Sequence, residues 1–68
     1  MSRYRVQYTS MKPGGARERE DDMVNGDLEA VRTYFDNQDI WAADPIIVIE
    51  QGPSDGRGRV VPASEWDI

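Results

Sequence analysis

The side chains able to do chemistry in this chain are mostly carboxylates. Among 68 residues there are 13 Asp and Glu against 8 Lys and Arg, with no His and no Cys. The commonest general base and the thiolate nucleophile are therefore missing, and the serines have no histidine to activate them. A pair of carboxylates does acid–base catalysis only in a cleft that raises one pKa, which so small a domain rarely builds. The sequence therefore predicts a protein that is not an enzyme.

Three short segments carry ligand-type residues, and each has a simpler structural interpretation. The oxygen-rich residues 36–39 lack the turn glycine and distal glutamate of a calcium loop, which leaves a solvated helix end. Residues 20–22 are too few for a metal site. Residues 56–59 match neither the P-loop nor the dinucleotide-binding pattern. Their Arg57 and Arg59 could contact phosphate, or the segment is a hairpin tip. We expect no metal and no cofactor.

Charge is distributed unevenly along the chain. Residues 1–17 hold four basic residues and no acid, residues 18–50 hold ten acids and two arginines, and residues 51–68 are nearly balanced. The net charge is −5. Phosphate contacts need a positive surface, so this balance argues against a conventional nucleic-acid-binding protein. An acidic surface instead suits a basic partner, because opposite charges steer association.

Length and composition indicate one soluble domain, residues 1–68. No stretch reaches the roughly 18 apolar residues that a membrane helix needs. The first residues lack the apolar run of a secretory signal, and the absence of cysteine fits a reducing compartment. We expect a cytoplasmic monomer or homodimer that binds neither membranes nor small-molecule substrates.

The candidate residues are positioned by two predicted strands at the start of the chain. Over residues 3–11, aromatic and β-branched side chains alternate with polar ones, which predicts a half-buried strand. Its core side holds Tyr4, Val6 and Tyr8, and its outward side holds Arg3, Arg5, Gln7 and Thr9. After a turn at residues 12–15, residues 16–23 are too polar for an interior strand. They are predicted as a charged edge strand, with a mobile loop as the alternative.

A helix and two further strands follow. Asn25 or Asp27 starts a helix that ends near Asn37, and its buried side carries Leu28, Val31 and Phe35. The β-branched residues 46–49 predict a well-buried strand, and residues 59–61 predict a short last strand after a turn at residues 52–56. Trp66 is expected to pack back onto the sheet. The expected fold is α+β: a small ββαββ domain, a mostly antiparallel sheet with one helix packed on one face.

The acids between positions 18 and 44 have two interpretations. One is ordinary solubility charge. The other is a surface that imitates nucleic-acid phosphates and binds a basic groove. If the second strand and the helix start adjoin, these acids share one end of the molecule. The candidate partner contacts are Glu20, Asp21, Asp22, Asp27, Glu29 and Asp36, with Tyr34 or Trp41 as an aromatic anchor whose alternative role is core packing.

A smaller set of candidate contacts is basic. Arg3 and Arg5 on the first strand, together with Arg57 and Arg59, could contact an acidic partner or nucleic acid. The alternative is the solvated side of an amphipathic strand. Tyr4 and Tyr8 lie on the other side, so they do not interleave with the arginines as stacking aromatics would.

The order and charge of these elements resemble those of small phage-encoded inhibitors, in particular the anti-CRISPR proteins that target type I surveillance complexes. The resemblance covers most of the chain, but matches no binding motif and transfers no role to individual residues. It rests on a Tyr4-Arg5-Val6 strand, a charged Arg17-Glu18-Arg19-Glu20 arm, a short helix through Ala30 and Val31, an Ile47-Val48-Ile49 strand and a final hairpin. It implies binding to a subunit of the crRNA-guided complex, which blocks recognition of target DNA.

The leading hypothesis is therefore a non-enzymatic, viral inhibitor that binds a basic nucleic-acid-binding subunit of a host CRISPR complex through an acidic patch. The host cytoplasm is the expected location. One alternative is a structural or adaptor module, or a homodimer, assembled through residues 46–49 if they lie at a sheet edge. A third is a weak nucleic-acid binder that uses the basic first strand. The sequence identifies neither the partner nor the binding face.

Overall fold

A four-stranded antiparallel sheet with helices packed against one side forms the framework of the molecule, of which the computed structural model describes residues 2–51 and 58–67. The elements in chain order are β1 (Ser2–Met11), a 3₁₀ turn (Pro13–Gly15), β2 (Arg17–Gly26), α1 (Leu28–Asp36), β3 (Ile47–Gln51), β4 (Gly58–Val60) and α2 (Ala63–Trp66). The sheet order is β2-β1-β3-β4, with every neighbouring pair antiparallel. The α+β prediction is confirmed. The ββαββ order is not, because a second helix, α2, follows β4.

The β1–β2 hairpin is the longest element and confirms that the charged segment after the first turn is a strand. Its register runs without interruption from Ser2 opposite Gly26 to Met11 opposite Arg17. The turn closes where the Lys12 amide donates to the Ala16 carbonyl at 2.7 Å. Gly14 and Gly15 both have positive φ, a conformation that glycine adopts without steric cost. The polar side chains are tolerated because β2 is an edge strand.

The core lies between the sheet and the two helices. It is built from alternate residues of the strands and from one stripe of α1, so Val6, Val31 and Val48 are almost completely buried. The other buried hydrophobic residues are Tyr4, Tyr8, Val24, Phe35, Val61 and Trp66. Leu28 packs against this cluster while staying partly exposed. Trp66 packs on Phe35 of α1, with ring centroids 4.9 Å apart.

Helix α1 starts and ends close to its predicted limits. The Asp27 side chain caps it by accepting a hydrogen bond from the Ala30 amide at 3.0 Å, which satisfies one otherwise unpaired N–H group. Asn37 follows the last helical residue, with a φ of −97°. The predicted position of the helix end is therefore confirmed.

Over residues 2–51 and 58–67, no helix covers the side of the sheet opposite α1 and α2. Three expectations are corrected. Residues 46–49 are not a uniformly buried strand, because Val48 points into the core and Ile46 packs against its edge, while Ile47 and Ile49 pair with Gln7 and Arg5 on the open side. β3 is also an interior strand, so it offers no edge for assembly. Thr9, expected outside, is only 4% exposed. The expected turn at residues 52–56 lies outside the described residues.

None of the helices in the described part of the chain has the length and apolar character needed to cross a membrane.

Candidate macromolecule-binding surfaces

Strand alternation sorts the charges of β2 onto the two sides of the sheet. From residue 17 to residue 20, arginine and glutamate alternate, and two aspartates follow at residues 21 and 22. Successive residues of a strand point to opposite sides of the sheet. We call the side that carries α1 and α2 the helix side, and the opposite side the open face. In the register with β1, the helix side receives Glu18, Glu20 and Asp22, and the open face receives Arg17, Arg19 and Asp21.

The helix side is strongly acidic. Three of its acids belong to β2. The others are the acids of α1, the Asp27 cap of that helix, Glu50 of β3, which lies opposite Tyr4 in the sheet, and Glu65 of α2. Two of its three basic residues are already paired: Lys12 with Glu20 at 3.2 Å and Arg59 with Glu65 at 3.3 Å. Within residues 2–51 and 58–67, the carboxylates that these elements place on the helix side are Glu18, Glu20, Asp22, Asp27, Glu29, Asp36, Glu50 and Glu65. Arg32 is the third basic residue.

Several of the predicted contact acids have structural partners. Asp22 accepts a hydrogen bond from the Tyr34 hydroxyl at 3.1 Å. Glu20 accepts one from Ser10 at 3.1 Å, in addition to its ion pair with Lys12. Asp27 is the cap of α1. These carboxylates hold the fold together, so any binding role would come in addition to a structural one.

Glu18, Glu29 and Asp36 are different. They are exposed, and within the described residues their carboxylates have no hydrogen bond or ion pair. Glu29 and Asp36 are seven residues apart on α1, which places them on the same face two turns apart. Among the eight acids of the helix side named above, these three are the most available to a partner. Glu18 was not among the contacts predicted from the sequence.

The predicted acids do not gather at one end of the molecule. Asp21 lies on the open face, where its carboxylate accepts hydrogen bonds from both Nε and Nη2 of Arg5, one of them at 2.9 Å. This guanidinium lowers the pKa of the Asp21 carboxyl. Glu20 and Asp27 are separated by most of β2, a distance of about 20 Å at 3.3 Å per residue. The remaining acids form a band along the helix side rather than a single patch.

Tyr34 belongs to the core border and does not protrude as an anchor. Its hydroxyl lies 2.9 Å from the Tyr8 hydroxyl and donates to Asp22. Its ring makes edge-to-face contacts with Tyr8 and Phe35, with centroid distances of 5.9 and 5.4 Å. Burial, followed by the hydrogen bonds to Tyr8 and Asp22, raises the pKa of the phenol. Tyr34 is therefore a neutral hydrogen-bond donor that positions Asp22.

Trp41, the other predicted anchor, is on the opposite side from the acids. Its amide donates to the Thr9 carbonyl at 2.9 Å, and the Arg17 guanidinium lies 3.8 Å from the centre of its ring. This is a cation–π contact on the open face. Trp41 therefore lies beside the arginines of the hairpin, on the opposite side of the sheet from Glu20, Asp22 and Glu29.

A groove of about 430 Å³ lies between α1 and α2 on the helix side. Exposed Glu29, Asp36 and Glu65 line it, along with Arg32, and the buried ring of Trp66 contributes apolar surface. Carboxylates around an apolar surface suit a long basic side chain, because its methylene groups and its charge then both find partners. Helix α1 supplies two of these carboxylates, Glu29 and Asp36, and both are unpaired within the described residues.

The predicted basic contacts are divided between the two sides. Arg3 and Arg5 are on the open face, as expected, whereas Arg59 is on the helix side, paired with Glu65. Arg57 lies outside the described residues. The sequence-based set missed Arg17 and Arg19, which share the open face with Arg3 and Arg5. The alternation of arginine and glutamate from residue 17 to residue 20 is the signal that could have found them.

Comparison of the chain with protein-family models, with curated protein sequences and with solved structures finds no match.

Proposed function

We propose that this chain is a non-enzymatic inhibitor that covers the basic nucleic-acid-binding surface of another macromolecule with its helix side. The observation that carries the proposal is the sorting of charge by strand alternation. Strand alternation places four carboxylates on the helix side, and the two helices with the Asp27 cap add four more. Within residues 2–51 and 58–67, three basic residues share that side, and two of them are already paired. A surface of one sign attracts and orients a partner of the opposite sign.

The contact that we favour centres on Glu29 and Asp36 of α1, with Glu18 of β2 extending it. These acids are exposed and free of side-chain partners within residues 2–51 and 58–67, so binding a lysine or arginine breaks no internal hydrogen bond. The groove beside them offers Trp66 as an apolar wall for the stem of such a side chain. The same lysines and arginines contact phosphate when the partner binds nucleic acid.

For the partner we propose the nucleic-acid-binding subunit of a type I CRISPR surveillance complex, in the host cytoplasm. The support is the layout that this chain has in common with phage-encoded inhibitors of those complexes, together with the acidic helix side described above. One copy of the chain would occupy one DNA-binding surface, and target DNA would then be excluded by competition.

The test uses variants that change the charge without touching the fold. Glu18→Gln, Glu29→Gln and Asp36→Asn combined should weaken inhibition by roughly threefold to a hundredfold, because each loses an attraction to a cation (roughly 0.2–1 kcal/mol for each exposed pair). Asp22 and Asp27 are avoided, since the first binds Tyr34 and the second caps α1. The single variants Asp36→Asn and Asp21→Asn remove the same charge on opposite sides of the sheet. Because Asp21→Asn also loses the exposed ion pair with Arg5, circular dichroism first establishes that it is folded. Only Asp36→Asn should weaken inhibition.

The measurement is the affinity of a purified type I surveillance complex for fluorescent target DNA, at increasing concentrations of each variant. A one-to-one loss of DNA binding with the wild-type chain supports the proposal. If DNA binds equally well in its presence, this partner is wrong. If the triple variant inhibits as strongly as the wild type, the helix side is not the inhibitory surface.

A further inference from the structure

The open face has the composition of a binding surface rather than of ordinary solvated surface. Its strand residues, over the described part of the chain, include four arginines, one aspartate and no lysine or glutamate. Met23 is 42% exposed, Met11 45% and Val60 65%. Protein interfaces are enriched in Met, Arg and aromatic residues, and depleted of Lys and Glu. This surface plays no part in the function proposed above for the helix side.

The centre of the open face is apolar and electrically neutral. One row across the sheet runs through Met23, Arg5, Ile49 and Val60, which are direct cross-strand neighbours. Arg5 is neutralised by its ion pair with Asp21, which lies opposite Gln7 in the neighbouring row. The aliphatic side chains around the pair are therefore the main contact area that the centre offers.

Positive charge remains at the two ends of the open face. Arg3 lies opposite Asn25 near one end, and Arg17 and Arg19 lie near the other end of β2. Among residues 2–51 and 58–67, no carboxylate lies within 4.0 Å of these three guanidinium groups. Six residues of strand separate Asn25 from Arg19, which is about 20 Å.

The arginines at the hairpin end contact neutral groups directly, and one carboxylate lies nearby, because the Thr9 hydroxyl that accepts from Arg19 itself donates to Asp44 at 2.8 Å. Arg19 donates to the carbonyl oxygen of Pro45 at 2.9 Å and to the Thr9 hydroxyl at 3.3 Å. Arg17 is stacked on Trp41. Each guanidinium has five N–H donors, so donors remain for a ligand. Their side chains are already ordered, which reduces the entropy lost on binding an anionic group.

We propose that the open face binds an extended acidic segment of another protein, with carboxylates near both ends and aliphatic side chains between them. About six to eight residues at 3.3 Å each would reach from Arg3 to Arg17 and Arg19. The aliphatic middle of such a segment covers Ile49, Met23 and Val60, and its terminal carboxylates meet the arginines. Arginine binds carboxylates through two parallel hydrogen bonds, which fixes the register of the segment.

A second copy of the chain fits this face less well. Four strands spaced about 4.8 Å apart, two of them short, give a face of roughly 500 Å², whereas a stable interface buries about 800 Å² on each partner. Two identical open faces would also bring arginines towards arginines. A single strand of nucleic acid fits less well too, because base stacking needs free aromatic rings. Within the described strands and connections, the open face offers Trp41 for stacking, and Arg17 covers one of its ring faces.

The experiment uses the whole chain and a synthetic peptide with two aspartates at each end and about five alternating leucine and threonine residues between them. Fluorescence anisotropy at near-physiological salt measures its affinity, because lower salt would exaggerate repulsion by the chain's net negative charge. Arg3→Gln combined with Arg17→Gln should weaken binding at least tenfold. Ile49→Thr should weaken it severalfold. Arg32→Gln, which removes the same type of charge from α1 on the helix side, is the matched control and should bind normally.

Circular dichroism first establishes that each variant is folded. Saturable peptide binding that the open-face variants weaken and Arg32→Gln leaves unchanged supports the proposal. Absence of peptide binding at millimolar concentration overturns it, as does equal binding by all variants. Tighter binding of a single-stranded oligonucleotide of equal charge would assign the face to nucleic acid instead. Self-association that Ile49→Thr abolishes would assign it to a second copy.

Discussion

Tyr34 joins three elements through a single hydroxyl group. The hydroxyl lies within hydrogen-bonding distance of Tyr8 on β1 and donates to Asp22 on β2, while its own backbone is part of α1. The ring completes the edge-to-face cluster with Tyr8 and Phe35. One consequence is that an acid from the helix side is held in a fixed position. Another is that the phenol is stabilised in its neutral form, which raises its pKa.

This raised pKa predicts a specific dependence of stability on pH. An unfolded tyrosine ionises near pH 10, so the contribution of Tyr34 to stability is fully present below about pH 10 and is lost as the pH rises towards its folded value. Tyr34→Phe should be less stable than the wild type by about 1 kcal/mol at pH 7, because hydrogen bonds are lost. Above pH 10 the difference should shrink. Urea unfolding at pH 7, 10 and 11 measures it, and a difference that stays constant with pH would contradict the prediction.

At the scale of elements, the sequence predicted individual strands and helix ends, but not which sides of the sheet the helices cover. The alternation around Tyr4, Val6 and Tyr8 specified β1, and Asp27 was identified as a helix cap, because both depend on neighbours in the chain. The residues 46–49 were misread because a continuous β-branched run does not reveal whether one or both sides of its strand are covered. Covering both sides requires a second layer, and both helices of the described chain lie on one side.

The candidate site was partly predictable for the same reason. A strand through residues 17–22 already implies that Asp21 points away from Glu20 and Asp22, so its separation from them follows from strand geometry alone. The side on which Trp41 lies does not follow, since Trp41 belongs to an irregular connection. That connection is positioned by long-range backbone hydrogen bonds to Thr9 and Met11 of β1. No local pattern in the sequence specifies such a contact.

The junction between β2 and α1 depends on a glycine. Gly26 has a φ of +133°, and a Cβ atom added there would lie 2.9 Å from the Cβ of Ala30. Gly26→Ala should therefore destabilise the fold by about 1–3 kcal/mol, from backbone strain and from displacement of the first turn of α1. Urea unfolding measures the effect.

Gly14→Ala is the matched control for this junction. Gly14 also has a positive φ, +84°, but a Cβ added there meets nothing within 4 Å. It should show the cost of the backbone conformation alone, about 1 kcal/mol. If the two variants lose equal stability, the contact with Ala30 contributes nothing, and the packing of α1 against the end of β2 is looser than the structure indicates.

For the whole molecule, the open face and the small core have one origin. A chain of 68 residues supplies a single layer of helices, so one side of the sheet is buried and the other stays available for binding. Among the described residues, nine hydrophobic side chains are buried in the resulting core. A domain of this size typically has only about 3–5 kcal/mol of stability from its core. Its last element, a helix of four residues, contributes the largest of these side chains, Trp66.

The two tryptophans should therefore respond very differently to the same substitution. Trp66→Ala removes a buried ring that packs on Phe35, which costs about 3–5 kcal/mol and consumes most of the stability of the domain. Trp41→Ala removes a half-buried ring from the open face and should leave the fold intact. Far-ultraviolet circular dichroism and urea titration at 25 °C measure both. We expect a largely unfolded chain for Trp66→Ala and cooperative unfolding close to wild type for Trp41→Ala. Similar unfolding midpoints for the two variants would show that α2 is not needed to close the core.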